Sequence, residues 1–186
     1  SRLPPPFTKN AGQPLQFKLE WFERPSRQSV LSIGLAKVAA AQLWLDGNHP
    51  NGIRRGALGL GPADIGSLSM PGGEGLWIKG RLEEFDPEVW PEFSTAMRSP
   101  QKTLLSGVNL FVRNVYVGRR QFHDIKVDAT RQGTAWRAAV SGRELTGEVG
   151  WESGEQTKVV ARLAQLHIPR AVSQIEPGVP GQTAEQ

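Results

Sequence analysis

The sequence predicts a mainly β protein made of antiparallel strands. Apolar and polar residues alternate almost without interruption between residues 105 and 168. Side chains in a strand alternate sides with a period of two, so each strand has one apolar face and one polar face. The 21 glycines and 14 prolines suit a protein of many short strands and turns. We call the shared apolar side the dry face.

Five strands are predicted in the first half of the chain. The clearest runs from Leu15 to Trp21, where four apolar residues alternate with polar ones. Segments 31–35 and 41–45 are the next two strands. Asp46-Gly47-Asn48, directly after segment 41–45, marks a turn. Residues 54–60 form a glycine-rich strand, and residues 76–82 form the next one. The glycine- and proline-punctuated stretch between them has room for one more strand.

One short helix is predicted near residues 86–98. Asp86 suits the N-cap, Pro87 the first helical position and Glu88 the first turn. A helical apolar stripe follows, made of Val89, Trp90, Phe93 and Met97. Ser99-Pro100 ends the pattern.

The second half of the chain predicts a run of strands. Residues 108–117 form one strand with an irregularity at Asn114, and strands at 125–129, 136–140, 145–151 and 159–163 follow. We divide the chain into an extended, proline-rich leading segment (1–14), one β-rich domain (15–170) and a polar linker (171–186). We expect the chain to be a fragment of a larger protein.

The dry face must meet something apolar. The alternation places Trp21 and Trp136 on it and Trp77 on the other side. Pattern alone favours a closed β-sandwich or barrel, the usual solution for strands with one apolar face. The alternative is an open groove whose apolar lining holds acyl chains.

Composition and motifs argue against several classes of function. The chain has no cysteine, which excludes disulfides and a thiol nucleophile. The net charge is +4, but no basic cluster interleaves with aromatic residues, so we predict no nucleic-acid partner. The three histidines lack metal-ligand or catalytic spacing. Four carboxylates could supply an acid–base pair: Asp64, Glu83, Glu84 and Asp86. Asp86 is better explained as a helix cap, and Glu83-Glu84 as a solvated strand end. We therefore predict no enzyme activity, metal or cofactor.

Several stretches, in order, resemble the YhdP family of large AsmA-like envelope proteins. Residues 3–12 resemble its "LPxPLxKxAG" stretch, and residues 75–90 its "GLxxxGxLxxLDxxxW" stretch. Residues 110–127 resemble "LxVxxLxxxGxxFxxLxL", residues 142–151 "GxxLxGxxxW", and residues 163–169 "LxxLxLP". The resemblance covers nearly the whole chain.

The resemblance implies a long, twisted antiparallel sheet curled into a groove, which reverses the preference for a sandwich. It implies a periplasmic protein anchored in the inner membrane, implicated in phospholipid transport between inner and outer membranes. A structural or docking β-module without lipid contact is the alternative. The implied partners are acyl chains and neighbouring segments of the same large protein, and the isolated chain could self-associate edge to edge. We predict these lipid-facing residues: Leu43, Leu58, Ile78, Ile125, Val127, Trp136, Val140, Val149 and Leu163.

Overall fold

A computed structural model describes residues 14, 16–25, 27–50, 52–62, 66, 68–88, 104–152 and 158–170. Within them, ten strands lie in a single sheet. The predicted leading segment and linker lie outside the described residues, apart from Pro14, and so does most of the predicted helix. The strands are β1 (Phe17–Arg24), β2 (Gln28–Leu35), β3 (Ala39–Asp46), β4 (Ile53–Leu60), β5 (Gly75–Phe85), β6 (Leu105–Val117), β7 (Arg120–Gln132), β8 (Ala135–Ser141), β9 (Leu145–Glu152) and β10 (Lys158–Leu166).

The strands follow one another across the sheet in chain order, from β1 at one edge to β10 at the other. Most neighbours are antiparallel, but β5 runs parallel to both β4 and β6. The prediction of a wholly antiparallel sheet is therefore wrong at β5. A parallel pair needs a long connection that carries the chain back along the sheet. Residues 61–74 and 86–104 provide these connections, and the described part of the first contains no strand.

The described strands form an open sheet. Strands contact only their neighbours in the sheet, so β1 and β10 do not meet and no second sheet faces the first within the described residues. A closed sandwich needs two facing sheets, so that alternative is wrong for this part of the chain. The prediction of a mainly β fold is confirmed, and the open sheet is consistent with a curled groove.

The strand register brings apolar residues from all ten strands together on one face, the dry face. One line across the sheet runs from Leu58 through Ile78, Val108 and Ala129 to Ala138. The buried core cluster lies in and beside this line, and consists of Ile78, Leu105, Val108, Leu110, Ala129, Trp136 and Ala138. The centre of the dry face is therefore the core of the protein.

The opposite face is not uniformly polar. Ala40 and Ala57 point to this side and are almost fully buried. Lys79 Nζ, on the same side, donates a hydrogen bond to Ser69 Oγ at 2.9 Å, which places part of the first long connection over this face. Strands with parallel neighbours are commonly covered on both faces by their connections. The opposite face is therefore covered in part around β3 to β5.

Three tryptophans lie as the alternation predicts. Trp21 pairs with Leu31 on the dry face, and Trp136 belongs to the core cluster there. Trp77 points to the opposite face, where its ring lies over Gly107, and a Cβ on Gly107 would overlap the ring. Gly107 is therefore needed for this close approach.

The predicted irregularity at Asn114 is wrong, since β6 runs continuously from Leu105 to Val117. The backbone departs from a regular strand at Asp124 of β7 instead, with a φ of +53°. Aspartate is among the few residue types that tolerate this left-handed conformation. The residue pairs between β6 and β7 keep the same register before and after Asp124, so no bulge forms there.

Candidate functional site

All nine residues predicted to contact lipid lie on the dry face. Val127 lies opposite Val140, and Gly147 separates Val140 from Leu163 in the same line. The strand register brings all nine side chains to this one surface. They are Leu43, Leu58, Ile78, Ile125, Val127, Trp136, Val140, Val149 and Leu163. Their contact with acyl chains remains a prediction.

The nine residues differ in how far solvent reaches them. Ile78, Ile125 and Trp136 are only 5–9% exposed, whereas Leu163 is 42% exposed. The indole of Trp136 stacks on that of Trp151, with ring centroids 5.5 Å apart. The other five are half-buried: Leu43, Leu58, Val127, Val140 and Val149. The buried three form the floor, and a ligand would first meet the half-buried residues and Leu163.

The dry face is most open at the two edge strands. The exposed large side chains there are Phe17, Leu19 and Trp21 on β1, and Val159, Leu163 and Leu166 on β10. Of these six, the sequence-based prediction of lipid contacts included only Leu163. Alternation assigns a residue to a face, but exposure depends on which strands lie at the edges, and that is a property of the topology.

At one end of β6 the dry face becomes polar. Asn114 follows Val112 by two residues, so both side chains lie on the same face. Asn114 lies opposite Glu84 of β5 on one side and His123 of β7 on the other. Its Oδ1 accepts a hydrogen bond from Gln121 Nε2 at 2.9 Å. We call Glu84, Asn114, Gln121 and His123 the polar end of the dry face.

His123 is held by Glu144, in the turn between β8 and β9. Its backbone N–H donates to Glu144 Oε2 and its Nδ1 hydrogen-bonds with Oε1, both at 2.7 Å. The next residue, Asp124, accepts a hydrogen bond from Arg143 Nε at 2.6 Å. Together the two contacts fix the backbone and the ring of His123. No local motif could show this arrangement, because Glu144 lies 21 residues away along the chain.

The surroundings of Glu144 lower the pKa of its carboxyl group below the ordinary value of 4.5. Burial acts in the other direction and raises this pKa, because it disfavours the charged form. The hydrogen bonds from the backbone and ring of His123, together with the attraction of a protonated ring, outweigh burial. Glu144 is therefore ionised at neutral pH, and its Oε1 accepts a hydrogen bond from the Nδ1–H of His123.

We expect the protein to lose stability in acid through Glu144. Its pKa is lower in the folded than in the unfolded chain, so the carboxylate stabilises the fold above the unfolded value near 4.5. That contribution disappears as the pH falls through the folded pKa. Urea midpoints measured from about pH 6 to about pH 3 should fall more steeply in the unmodified protein than in Glu144→Gln, which cannot titrate. Equal slopes would contradict this role.

A depression of about 300 Å³ lies on the opposite face, over β7 to β10. It is lined by charged residues that face one another across β9 and β10. Lys158 lies opposite Glu152, and Arg162 lies opposite Glu148. Paired charges favour water over hydrocarbon, so this depression does not extend the apolar surface.

The carboxylates considered above as an acid–base pair do not form a catalytic site in the described part of the chain. Asp86 accepts a hydrogen bond from the N–H of Glu88 at 2.8 Å, and the predicted helix that it would cap lies almost entirely outside the described residues. Glu83 pairs with Arg113 at 3.3 Å on the surface, and Asp64 lies outside the described residues. The described residues hold no group of three side chains that could bind a metal ion.

Comparison with known proteins adds one finding to this geometry. The profile of the YhdP protein family matches residues 1–186, the whole chain. The chain belongs to the YhdP family. Neither the curated proteins nor the solved structures contain a significant match to it.

Membership of the YhdP family indicates an AsmA-like protein of the bacterial envelope. The YhdP family is not known as an enzyme family. In the described part of this chain, no helix is both long enough and apolar enough to cross a bilayer.

Proposed function

We propose that this YhdP-family chain contributes a stretch of apolar groove along which phospholipids pass between the inner and outer membranes. The observation that carries the proposal is the dry face, which is apolar across all ten described strands and open at both edges. A phospholipid would lay its acyl chains on this face. The envelope, to which the family belongs, is where such transfer takes place.

The exposed edges of the dry face support an apolar ligand. On the dry face, each edge strand presents three large apolar side chains that are 42–63% exposed. Removing apolar surface from water stabilises by about 25 cal/mol per Å², and soluble proteins rarely leave large apolar patches uncovered. Acyl chains would cover such a surface without needing a specific shape.

The same edges support a longer assembly. The outer sides of β1 and β10 carry backbone groups that no described strand pairs with. Neighbouring segments of the same protein would extend the sheet at these edges, and the isolated chain would associate edge to edge. We place this assembly in the periplasm, in a protein anchored in the inner membrane.

The proposed mechanism is passive. An acyl chain that moves along the dry face exchanges one set of apolar contacts for another of similar free energy. The headgroup stays hydrated throughout, so neither a cofactor nor a chemical step is required.

A structural or docking module is the second candidate, and one observation favours it. Ile78, Ile125 and Trp136 are already buried without any ligand. If the half-buried residues around them also serve only the core, the chain would act as a rigid spacer in the envelope.

Native mass spectrometry of the purified protein, followed by lipid extraction, tests the proposal. Leu163→Asp and Val160→Asp form a matched pair, since both residues are 42% exposed on β10 but lie on opposite faces. Phospholipid should accompany the unmodified protein and Val160→Asp, and be lost from Leu163→Asp. A stable, lipid-free, unmodified protein would favour the docking module.

A further inference from the structure

We propose that the polar end of the dry face, formed by Glu84, Asn114, Gln121 and His123, contacts the headgroups of lipids whose chains lie on the adjacent apolar surface. This inference rests on the proposed function and adds an orientation to it. Lipids would lie along the strands with their headgroups toward the end where β6 turns into β7.

The order of residues along the strands matches an amphipathic ligand. On β5 the dry face is apolar from Leu76 to Leu82 and becomes acidic at Glu84. At about 3.3 Å per residue, the apolar stretch is roughly 20 Å long. One leaflet of a bilayer has a hydrocarbon thickness of about 15 Å, half of about 30 Å. An acyl chain can therefore lie along the strand while its headgroup contacts the polar end.

The other end of the dry face is polar on β1 and β2, where Glu23 lies opposite Ser29, but it is mostly apolar on β7 to β10. There the line across β7 to β10 contains Arg131, but its other members are Trp136, Trp151 and Val159. Apolar residues thus continue almost to the ends of three neighbouring strands, β8, β9 and β10. At the polar end, by contrast, three adjacent strands each place a polar residue on the dry face.

Three side chains of the polar end, those of Asn114, Gln121 and His123, are held by contacts within the protein. Glu144 holds Nδ1 of His123, so Nε2 points away from this carboxylate, and within the described residues Nε2 has no partner. Gln121 and Asn114 hold each other through one hydrogen bond. Groups that are already ordered lose less conformational entropy on binding.

The chemistry of these groups suits a phospholipid headgroup. The amide N–H groups of Asn114 and Gln121 can donate to phosphate oxygens, and so can Nε2 of His123 when it carries a proton. The carboxylate of Glu84 can accept a hydrogen bond from a headgroup amine. Both the negative and the positive parts of a zwitterionic headgroup therefore have a partner.

Photocrosslinking in the full-length protein tests the orientation. Peptide mass spectrometry would compare labelling at Gln121 at the polar end, Ser29 at the other end and Leu163 on the open flank. Two phosphatidylethanolamine probes would carry a diazirine, one in the headgroup and one at the tip of an acyl chain. The headgroup probe should label position 121 several-fold more than position 29, and the chain probe should label position 163.

The outcomes separate the two proposals. Chain labelling at 163 with headgroup labelling at 29 equal to or above that at 121 would overturn the orientation and leave the proposed function standing. Absence of chain labelling at 163 would overturn both. Asn114→Leu should lower headgroup labelling at 121 roughly fivefold, whereas Asn109→Leu, on the opposite face of β6, should leave it unchanged. Equal labelling in these two variants would also count against the polar end.

Discussion

Val127→Asp is expected to remove almost all bound phospholipid from the protein. Val127 lies between Leu110 and Val140 on the dry face and packs at the border of the core cluster. A carboxylate at this position would meet acyl chains in place of water, and burying an uncompensated charge is strongly unfavourable. Lipid extraction, expressed as phospholipid bound per protein, measures the loss.

Lys126→Asp is the matched control for this substitution. It introduces the same carboxylate one residue away, on the exposed opposite face, also removes the lysine charge, and should retain lipid. Thermal melts followed by circular dichroism separate lost binding from lost folding. A folded Val127→Asp protein that binds as much lipid as Lys126→Asp would contradict the groove. If Val127→Asp unfolds, Val127 belongs to the packed core of the sheet, and Leu163→Asp then provides the test at the open flank.

Gly61→Ala is expected to destabilise the protein by about 4 kcal/mol or more. Gly61 lies directly after β4 and has a φ of +84°, and a Cβ there would overlap the carbonyl oxygen of Arg81 in β5. Its N–H also donates to the carbonyl of Val38 at 2.8 Å, so the backbone cannot move away without breaking this bond. The free energy of unfolding, measured by chemical denaturation, should fall accordingly.

Gly118→Ala controls for the backbone conformation alone. Gly118 lies in the turn between β6 and β7 with a φ of +58°, and no atom lies within 4 Å of its added Cβ. Its substitution should cost only the left-handed conformation, about 1–2 kcal/mol. The difference in unfolding free energy between the two variants then measures the steric cost of a Cβ where Gly61 approaches Arg81 of β5. Equal losses would show that this approach is unimportant.

The strands and the shared face of the candidate site could be predicted because both follow from local alternation. Val127, Val140 and Val149 each occupy alternate positions in an extended segment, and the register keeps them on one side. Their degree of burial could not be predicted in this way. Trp136 is buried while Leu163 is exposed, because β8 lies inside the sheet and β10 lies at its edge.

The sequence by itself determined which side chains share the dry face, since alternation is a local property of extended backbone. Only the tertiary structure decided the direction of β5, the burial of Ala57 on the opposite face and the contact between His123 and Glu144. These features depend on where a connection returns the chain and on which distant strands become neighbours. Such long-range pairings leave no periodic signal in the residues that make them.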